Sequence, residues 1–502
     1  MAISIIQQPN FIIQPASTPT VFTVTCDTVV LNEQNVKFLC EVYVGKKYIP
    51  MNTNFPVATL KASPNAAGSG IFDVSPVIEA YVDVMQEGRF GVTTNNPNQY
   101  STFKQTAYSP TTPHSIHQID RFCTTATNLT WYQLRFRIEY LNTSTGRVEL
   151  DDTHDQSTFI KMAFNGVLTH TNPITVDSFN RYYYDMQDIN YTDGSGDYLI
   201  RGASGSALGG KFITNMPTKQ QMGENDYGTI AFFNCINSGK VQTMPGTPKN
   251  NIPNIILEFY NSAGAIVQTN NYDNVPVNGG KGGTTTDLDT SCYWIYFGHG
   301  LANMKGRNQT WPSTAVGYKV FVGTETSANA VSRVYDFEII YDDCRGYEPV
   351  RLCWQNRLGA WDYYTFNKKS KKTVKSKRKN YQQLSGTWNE KFWRPKDYLG
   401  GMKVFNNQAK ETLQLNTDWV SEEIAAWFEE LFTSSQVYIV NKFDSNNPPF
   451  NFGSNDVHYI HKYIEPVIIS SSTYTKKTIA NDKQIQYNIK IDKSKPLNVQ
   501  RA

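Results

Sequence analysis

The segment CWQNRLGAWDYYTFNKKSKKTVKSKRKNY (353–381) decides how this chain divides, because the sequence changes character on either side of it. Strand and turn patterns precede it, and the one long predicted helix follows it. Its first half is aromatic. Trp354, Trp361, Tyr363 and Phe366 are expected to pack in a core or between domains, since aromatic side chains in strands are mostly buried. Its second half is basic and predicts a contact with another molecule.

The basic half concentrates eight cations within twelve residues: Lys368, Lys369, Lys371, Lys372, Lys375, Lys377, Arg378 and Lys379. Basic side chains interleaved with aromatic ones can bind the phosphates and bases of single-stranded nucleic acid. This run, however, is enclosed by aromatic segments. It therefore favours a hairpin arm, residues 367–381, whose lysines face water and form an assembly contact with an acidic protein neighbour. Non-specific DNA contact is the alternative.

The sequence on both sides of this segment predicts a mainly β fold. Apolar and polar residues alternate in VKFLCEVYV (36–44) and WYQLRFRIEYLN (131–142), as in antiparallel strands with one face in water. About seven short strands in 211–345 are typical of a β-sandwich. Residues 415–435 predict a helix, capped by Asp418 or Ser421. We expect multidomain antiparallel β-sandwich modules with a C-terminal α+β domain.

Three domains are expected in the 502 residues. The first is an N-terminal β domain, 1–190, with a long polar loop excursion at 87–130; a loop of that length in a compact domain is usually functional or interfacial. A glycine- and serine-rich stretch then begins a second β-sandwich domain, 191–345. The C-terminal α+β domain, 346–502, contains the basic arm.

Composition argues against several function classes. The net charge of +3 excludes a polycation, and the seven cysteines include no Cys-x-x-Cys pair, which favours reduced thiols over a zinc site. The N-terminus does not read as a secretory signal, and no run of about eighteen apolar residues could cross a membrane. No G-x-S-x-G or H-E-x-x-H motif occurs. We therefore predict no catalytic, metal-binding or cofactor-binding residues.

Three pieces of the chain together carry a resemblance to a known family. The first is a start rich in Phe and Pro, then strands, then GIFDVSPVIEAYV (70–82); the second is the core CWQNRLGAWD (353–362) followed by YTFNKKSKK. The third is the ending, a predicted helix followed by SSQVYIV (434–440) and KKTIANDKQIQYNIKIDKSKPLNVQR (476–501). Their layout resembles virion proteins of crAss-like and related podovirus bacteriophages, and is similar to the ring-forming structural components of the tail barrel beneath the portal. The resemblance implies a non-enzymatic homo-oligomer of about twelve copies, matching portal symmetry. It also implies portal, tail or ring neighbours, non-specific DNA contact in the lumen, and a place in the virion tail after assembly in the host cytoplasm.

Two other functions stay open at this point. A tail-tip protein that binds a receptor or carbohydrate would present exposed aromatic rings in a shallow groove. A polysaccharide hydrolase would need two carboxylates converging in a cleft, which depends on their separation in space. Both alternatives depend on how the aromatic and acidic residues are placed in three dimensions.

Overall fold

The fold class expected from the sequence is confirmed. A computed structural model describes residues 3–9, 13–45, 55–82, 123–124, 128–158, 160–167, 174–176, 182–184, 211–233, 254–273, 294–306, 309–324, 327–341, 347–442, 464–471, 486–495 and 497. These residues are mainly β, arranged in several largely antiparallel sheets with few helices. Most of the predicted loop excursion at 87–130 and the predicted domain boundaries at 190/191 and 345/346 lie outside the described residues.

Contacts between Cα atoms divide the chain into two compact units. Unit one comprises Met1–Asp342, Gln355–Asp362 and Lys442–Ile460. Unit two comprises Asp343–Trp354, Tyr363–Asn441 and His461–Ala502. The short segment Gln355–Asp362 therefore belongs to unit one, although strands of unit two flank it in the sequence.

The first part of unit one contains a sandwich of two sheets and some short strands that lie outside it. Its elements are β1 (Ser4–Gln7), β2 (Ile13–Pro15), β3 (Val21–Thr25), α1 (Asp27–Asn32), β4 (Gln34–Gly45), β5 (Ala58–Ala62), β6 (Ser69–Asp73), α2 (Ser75–Glu79), β7 (Cys123–Thr124), β8 (Leu129–Asn142), β9 (Arg147–Ser157), β10 (Lys161–Phe164), β11 (Ile174–Val176) and β12 (Tyr182–Tyr184).

The two sheets of this sandwich have the orders β1-β3-β6 and β2-β10-β8-β4-β5, and β9 pairs with β8. Their alternating apolar residues meet in one buried cluster. The ring of Phe136 in β8 lies 6.1 Å from that of Phe22 and 5.8 Å from that of Phe72, both on the facing sheet. The alternation read from the sequence therefore buries one face of β4 and β8, as expected for a half-exposed sheet.

The second part of unit one repeats the two-sheet arrangement. Its elements are β13 (Lys219–Gly223), β14 (Thr229–Phe233), β15 (Asn254–Asn261), β16 (Ile266–Asp273), β17 (Trp294–Gly298), α3 (Leu301–Gly306), β18 (Ala315–Thr324), β19 (Ser327–Ala330) and β20 (Tyr335–Ile340). One sheet has the order β13-β20-β18-β15-β16, with β19 paired to β18, and the other has the order β14-β17-β7. A second apolar cluster fills this part. Because β7 belongs to the N-terminal stretch, the two parts share a sheet.

Unit two is built on one seven-stranded sheet. Its elements are β21 (Val350–Gln355), β22 (Trp361–Phe366), β23 (Lys371–Gln383), β24 (Gly401–Asn416), α4 (Glu422–Thr433), β25 (Val437–Val440), β26 (Ile464–Ile469) and β27 (Asn488–Lys493). The strand order is β22-β21-β25-β26-β27-β24-β23, so β23 forms one edge. Helix α4 packs its aromatic stripe on this sheet: the ring of Trp427 lies 4.8 Å from that of Trp354.

The predicted helix at 415–435 is shorter than expected. Ser421, one of the two predicted caps, accepts a hydrogen bond from the backbone N–H of Ile424, and the helix begins at Glu422. Residues 415 and 416 instead continue β24, because their backbone pairs with β27. Here sheet pairing overrides the local helical pattern.

Candidate assembly surface

The predicted basic run lies on a long hairpin. Lys368 and Lys369 precede β23, and the other six predicted cations lie within it. All thirteen residues of β23 pair in antiparallel register with β24, from Lys371 opposite Gln414 to Gln383 opposite Gly401, with one bulge beside Lys379. We call residues 371–416 the arm. The sequence anticipated a hairpin arm at 367–381, and the structure adds β24 as its second strand.

Most of the arm stands clear of the sheet. Only Thr412–Asn416 of β24 pair with β27. The stretch before Thr412 is joined to the described chain mainly by β23, apart from a single bridge between Ala409 and Leu497. No residue of β23 is buried, and its outer edge is unpaired among the described residues. An isolated two-stranded ribbon is marginally stable in water. Contact with a partner would therefore stabilise the arm more than it would stabilise the strands that are already packed in the sheet.

The charge on the arm is one-sided. Residues 371–416 contain eleven lysines and arginines and three acids, a net charge of +8. Lys368 pairs with Asp418 at 2.8 Å and Lys372 with Glu411 at 2.9 Å. Four other predicted cations, Lys371, Lys377, Arg378 and Lys379, have no ion-pair partner within the described ranges. Lys369 and Lys375 are also exposed. The charges of Lys369, Lys371, Lys377, Arg378 and Lys379 are therefore available to another molecule, whereas that of Lys375 also helps to lower the pKa of Asp492.

A buried carboxylate holds the root of the arm. The side chain of Glu411 is only 3% exposed and accepts from Lys372 at 2.9 Å and from Lys493 at 3.3 Å. Burial raises the pKa of Glu411, but the two ammonium groups outweigh burial and bring that pKa below its ordinary value. Asp492, which pairs with Lys410 at 2.7 Å, follows the same pattern: burial raises its pKa, and hydrogen bonds from Lys410 and Thr412 bring it lower. The root is thus ionised at neutral pH.

The tip of the arm, residues 384–400, presents ordered aromatic rings to water. Trp388 and Trp393 are 69% and 56% exposed. Both indole N–H groups donate to one carbonyl, that of Ser385, at 3.0 and 3.2 Å. The Thr387 hydroxyl adds a cross-link by donating to the carbonyl of Phe392 at 3.1 Å. The rings are therefore held in fixed positions before any partner binds, which lowers the entropic cost of binding.

Further large apolar side chains of the arm are also exposed: Tyr381, Leu384, Phe392, Tyr398, Met402, Val404 and Phe405. Sequence reasoning noted aromatic residues beside the basic run but did not gather them into one surface. The segment WNEKFWRP (388–395) was noted only as a neighbour of the basic run, although its position between two strand-like stretches with glycines on either side indicates a hairpin tip. A turn of that composition points its aromatic rings outward because it has no core to face.

The four predicted packing aromatics are all buried. In unit two, Trp354 contacts α4, Phe366 stacks on Phe428 with ring centroids 6.1 Å apart, and Tyr363 lies under the guanidinium of Arg351. Trp361 is buried in the segment of unit one that contains Gln355–Asp362. The structure therefore places three of these residues in one unit and the fourth in the other.

The motif CWQNRLGAWD (353–362) forms a buried structural network. The Asn356 side chain accepts from the backbone N–H of Leu358 and Ala360 and donates to the Asp362 carboxylate at 3.1 Å. That carboxylate also accepts from the Thr214 hydroxyl at 2.6 Å. Gly359 has φ +85°, and a Cβ there would lie 2.0 Å from the Asn165 carbonyl oxygen. The motif residues from Asn356 to Asp362 thus form a buried, hydrogen-bonded turn with a structural role in unit one.

The part of the chain that the structure describes contains neither a metal-ligand cluster nor a membrane-spanning helix. No three His, Cys, Asp or Glu side chains there converge as metal ligands. None of the helices seen in those ranges combines the length and apolarity needed to span a bilayer. The sequence also matches no protein-family model, and no curated protein is significantly similar to it.

Proposed function

We propose that this chain is a non-catalytic structural subunit of a tailed bacteriophage, a ring subunit of the tail barrel or neck that assembles with portal-matched symmetry. The arm is the observation that carries the proposal. Among the described residues it is a two-stranded ribbon that pairs with the rest of unit two mainly at its root, with cations along one edge that have no ion-pair partner there and ordered aromatic rings at its tip. Such features are typical of binding hot spots, in which aromatic and arginine side chains supply most of the energy.

A closed ring places a specific demand on each subunit. Neighbours related by rotation meet through two different surfaces, so one subunit must present a donor surface and a separate acceptor surface. An arm that projects from one edge of a sheet meets the first requirement, because it can reach beyond its own unit. The stretch of β24 before Thr412 spans roughly 36 Å at about 3.3 Å per residue.

Negative-stain electron microscopy of the purified chain tests this proposal, together with analytical ultracentrifugation over a range of concentrations. We expect closed rings. A variant carrying Trp388→Ser and Trp393→Ser should keep the parent thermal midpoint, because both rings are exposed, and should form fewer rings. A parent chain that stays monomeric at every concentration would contradict the proposal.

A second candidate function rests on the same aromatic tip. Exposed, fixed indole rings can stack on the apolar faces of sugars, which favours a receptor- or carbohydrate-binding protein of the tail tip as the alternative. A glycan array separates the two functions. A monomer that binds glycans and loses that binding on Trp388→Ser would support the alternative, whereas rings without glycan binding support the structural subunit.

A further inference from the structure

The charge of the chain is divided unevenly between the arm and everything else. The whole chain has a formal net charge of +3, and the arm alone has a net charge of +8. The remaining residues therefore have a net charge of −5. A second copy of the chain therefore offers the arm an oppositely charged body. Opposite charges steer encounter and fix the orientation of two proteins, which makes a second copy an electrostatically suitable partner.

The acidic charge is concentrated on another free edge. Strand β9 contains four acids and one arginine, the most negative composition among the edge strands in the described ranges. It pairs only with β8 there, so its outer edge is open. Hydrogen bonds from Asn142 and Thr145 lower the pKa of Glu149. Burial raises the pKa of Asp151, but hydrogen bonds from Thr153 and His154 outweigh that effect.

The edge of β9 also exposes apolar side chains. Val148 is 65% exposed and Leu150 is 44% exposed, on the face opposite Glu149. Strand β23 has the complementary composition: six cations, no acid, and the exposed side chain of Val374. The two strands are also similar in length, at thirteen and eleven residues. Adding a strand to an open sheet edge is a common mode of protein recognition, with backbone hydrogen bonds supplying affinity and side chains supplying specificity.

We propose that the arm of one copy docks head-to-tail on the β8–β9 hairpin of a second copy, with basic strand β23 along acidic strand β9. This inference rests on the proposed function and specifies its subunit contact. Acids at the arm tip argue against an anionic membrane as the occupant: Glu390 and Asp397 are exposed beside the aromatic rings, and carboxylates oppose insertion into a bilayer.

Charge reversal on the two strands tests the contact. Variant A carries Lys377→Glu, Arg378→Glu and Lys379→Glu on the arm, and variant B carries Glu149→Lys and Asp152→Lys on β9. Asp155 is left unchanged because its carboxylate already pairs with Arg135 of β8 at 2.6 Å. Each variant alone brings like charges together, and we expect its self-association to weaken at least about tenfold. An equimolar mixture restores opposite charges at every A–B contact, so rings or oligomers should return. Sedimentation velocity measures both results.

Two controls keep this experiment interpretable. Far-ultraviolet circular dichroism and thermal midpoints check that A and B fold. A matched variant, Glu338→Lys with Glu348→Lys, makes the same charge change as B at exposed acids outside β9 and should associate like the parent. Recovery in the mixture supports the proposal. If A and B stay apart in the mixture while the parent forms rings, the β9 contact is overturned and the proposed ring function stands; a monomeric parent overturns both.

Discussion

Glu411 provides a quantitative test of how the arm is held. We consider the substitution Glu411→Gln, which keeps the shape of the side chain and removes its charge. The carboxylate is buried and accepts from Lys372 and Lys493. Removing one partner of a fully buried ion pair typically costs about 3–5 kcal/mol, because a charge is left without compensation, whereas exposed pairs contribute about 0–1 kcal/mol.

The structure places Glu411 between these limits. The side chain of Lys372 is 60% exposed, so its ammonium returns to water when the carboxylate is removed. Lys493 is 24% exposed and keeps a second partner, Glu465, at 3.1 Å. Neither cation is stranded, and the Gln carbonyl still accepts a hydrogen bond. We therefore expect Glu411→Gln to lower the free energy of unfolding by about 2 kcal/mol, with the loss dominated by charge-assisted hydrogen bonds.

The pH dependence follows from the direction of the pKa change. The pKa of Glu411 lies below its ordinary value of 4.5 in the folded state. A group with a depressed folded pKa stabilises the fold above the unfolded pKa, and loses that contribution as the pH falls through the folded pKa. The stability difference between the parent and Glu411→Gln should thus be constant near neutral pH. It should shrink below pH 4.5, where protonated Glu411 comes to resemble Gln.

Urea unfolding followed by circular dichroism, repeated between neutral and acidic pH, measures this difference. Glu390→Gln is the matched control, because Glu390 pairs with Lys396 at 3.3 Å on the same arm but is 42% exposed. The control should change the free energy of unfolding by less than about 0.5 kcal/mol. Equal effects of the two substitutions, or a Glu411→Gln effect that does not diminish in acid, would refute the reasoning from burial.

Two further predictions concern single residues. Trp354→Ala should lower the free energy of unfolding by about 3–5 kcal/mol. Trp354→Phe should cost less than half as much, because the buried indole N–H of Trp354 has no hydrogen-bond partner among the described residues and phenylalanine removes that N–H. Urea titration of both variants measures the two losses, and equal losses would contradict the prediction. Gly386→Ala should disorder the arm tip, because the new Cβ would lie 2.5 Å from Nε1 of Trp393 at a φ of +78°. Near-ultraviolet circular dichroism should fall while the global midpoint holds, and Gly401→Ala, with φ +79° and no neighbour within 4 Å, separates backbone strain from the clash.

The sheets were predictable from the sequence because their residues encode burial locally. Alternation in β4 and β8 identifies the buried face without any long-range information. Separately, the free, buried thiols of Cys40 and Cys353 agree with the reduced cysteines expected from the sequence. The partition of the motif CWQNRLGAWD was not predictable. Gln355–Asp362 is fixed by contacts with residues more than 140 positions earlier, such as the bond from the Asn356 amide to the carbonyl of Ile213 at 3.0 Å. Local patterns carry no record of such pairings.

The arm was half predictable for a related reason. A dense basic run enclosed by aromatic residues favours a hairpin with its lysines in water, and β23 has that form. The length of the partner strand was missed because β24, GMKVFNNQAKETLQLN (401–416), alternates only weakly. A strand exposed on both faces has no apolar period to read. The strand is identified only in the structure, by its antiparallel pairing with β23.

Lysines on a free edge have a structural explanation that competes with binding. Long unpaired edges invite aggregation, and natural sheets place charges, especially lysine, on them to prevent it. Protection accounts for cations along β23, but it does not account for the tip. The exposed rings of Trp388 and Trp393 promote aggregation, which is the very process that edge lysines prevent. The hydrogen bonds from both indoles to the Ser385 carbonyl hold the rings in that exposed state. Protection of a sheet edge does not explain why two indole rings are held in water, whereas binding of a partner does, because the rings become buried in the contact.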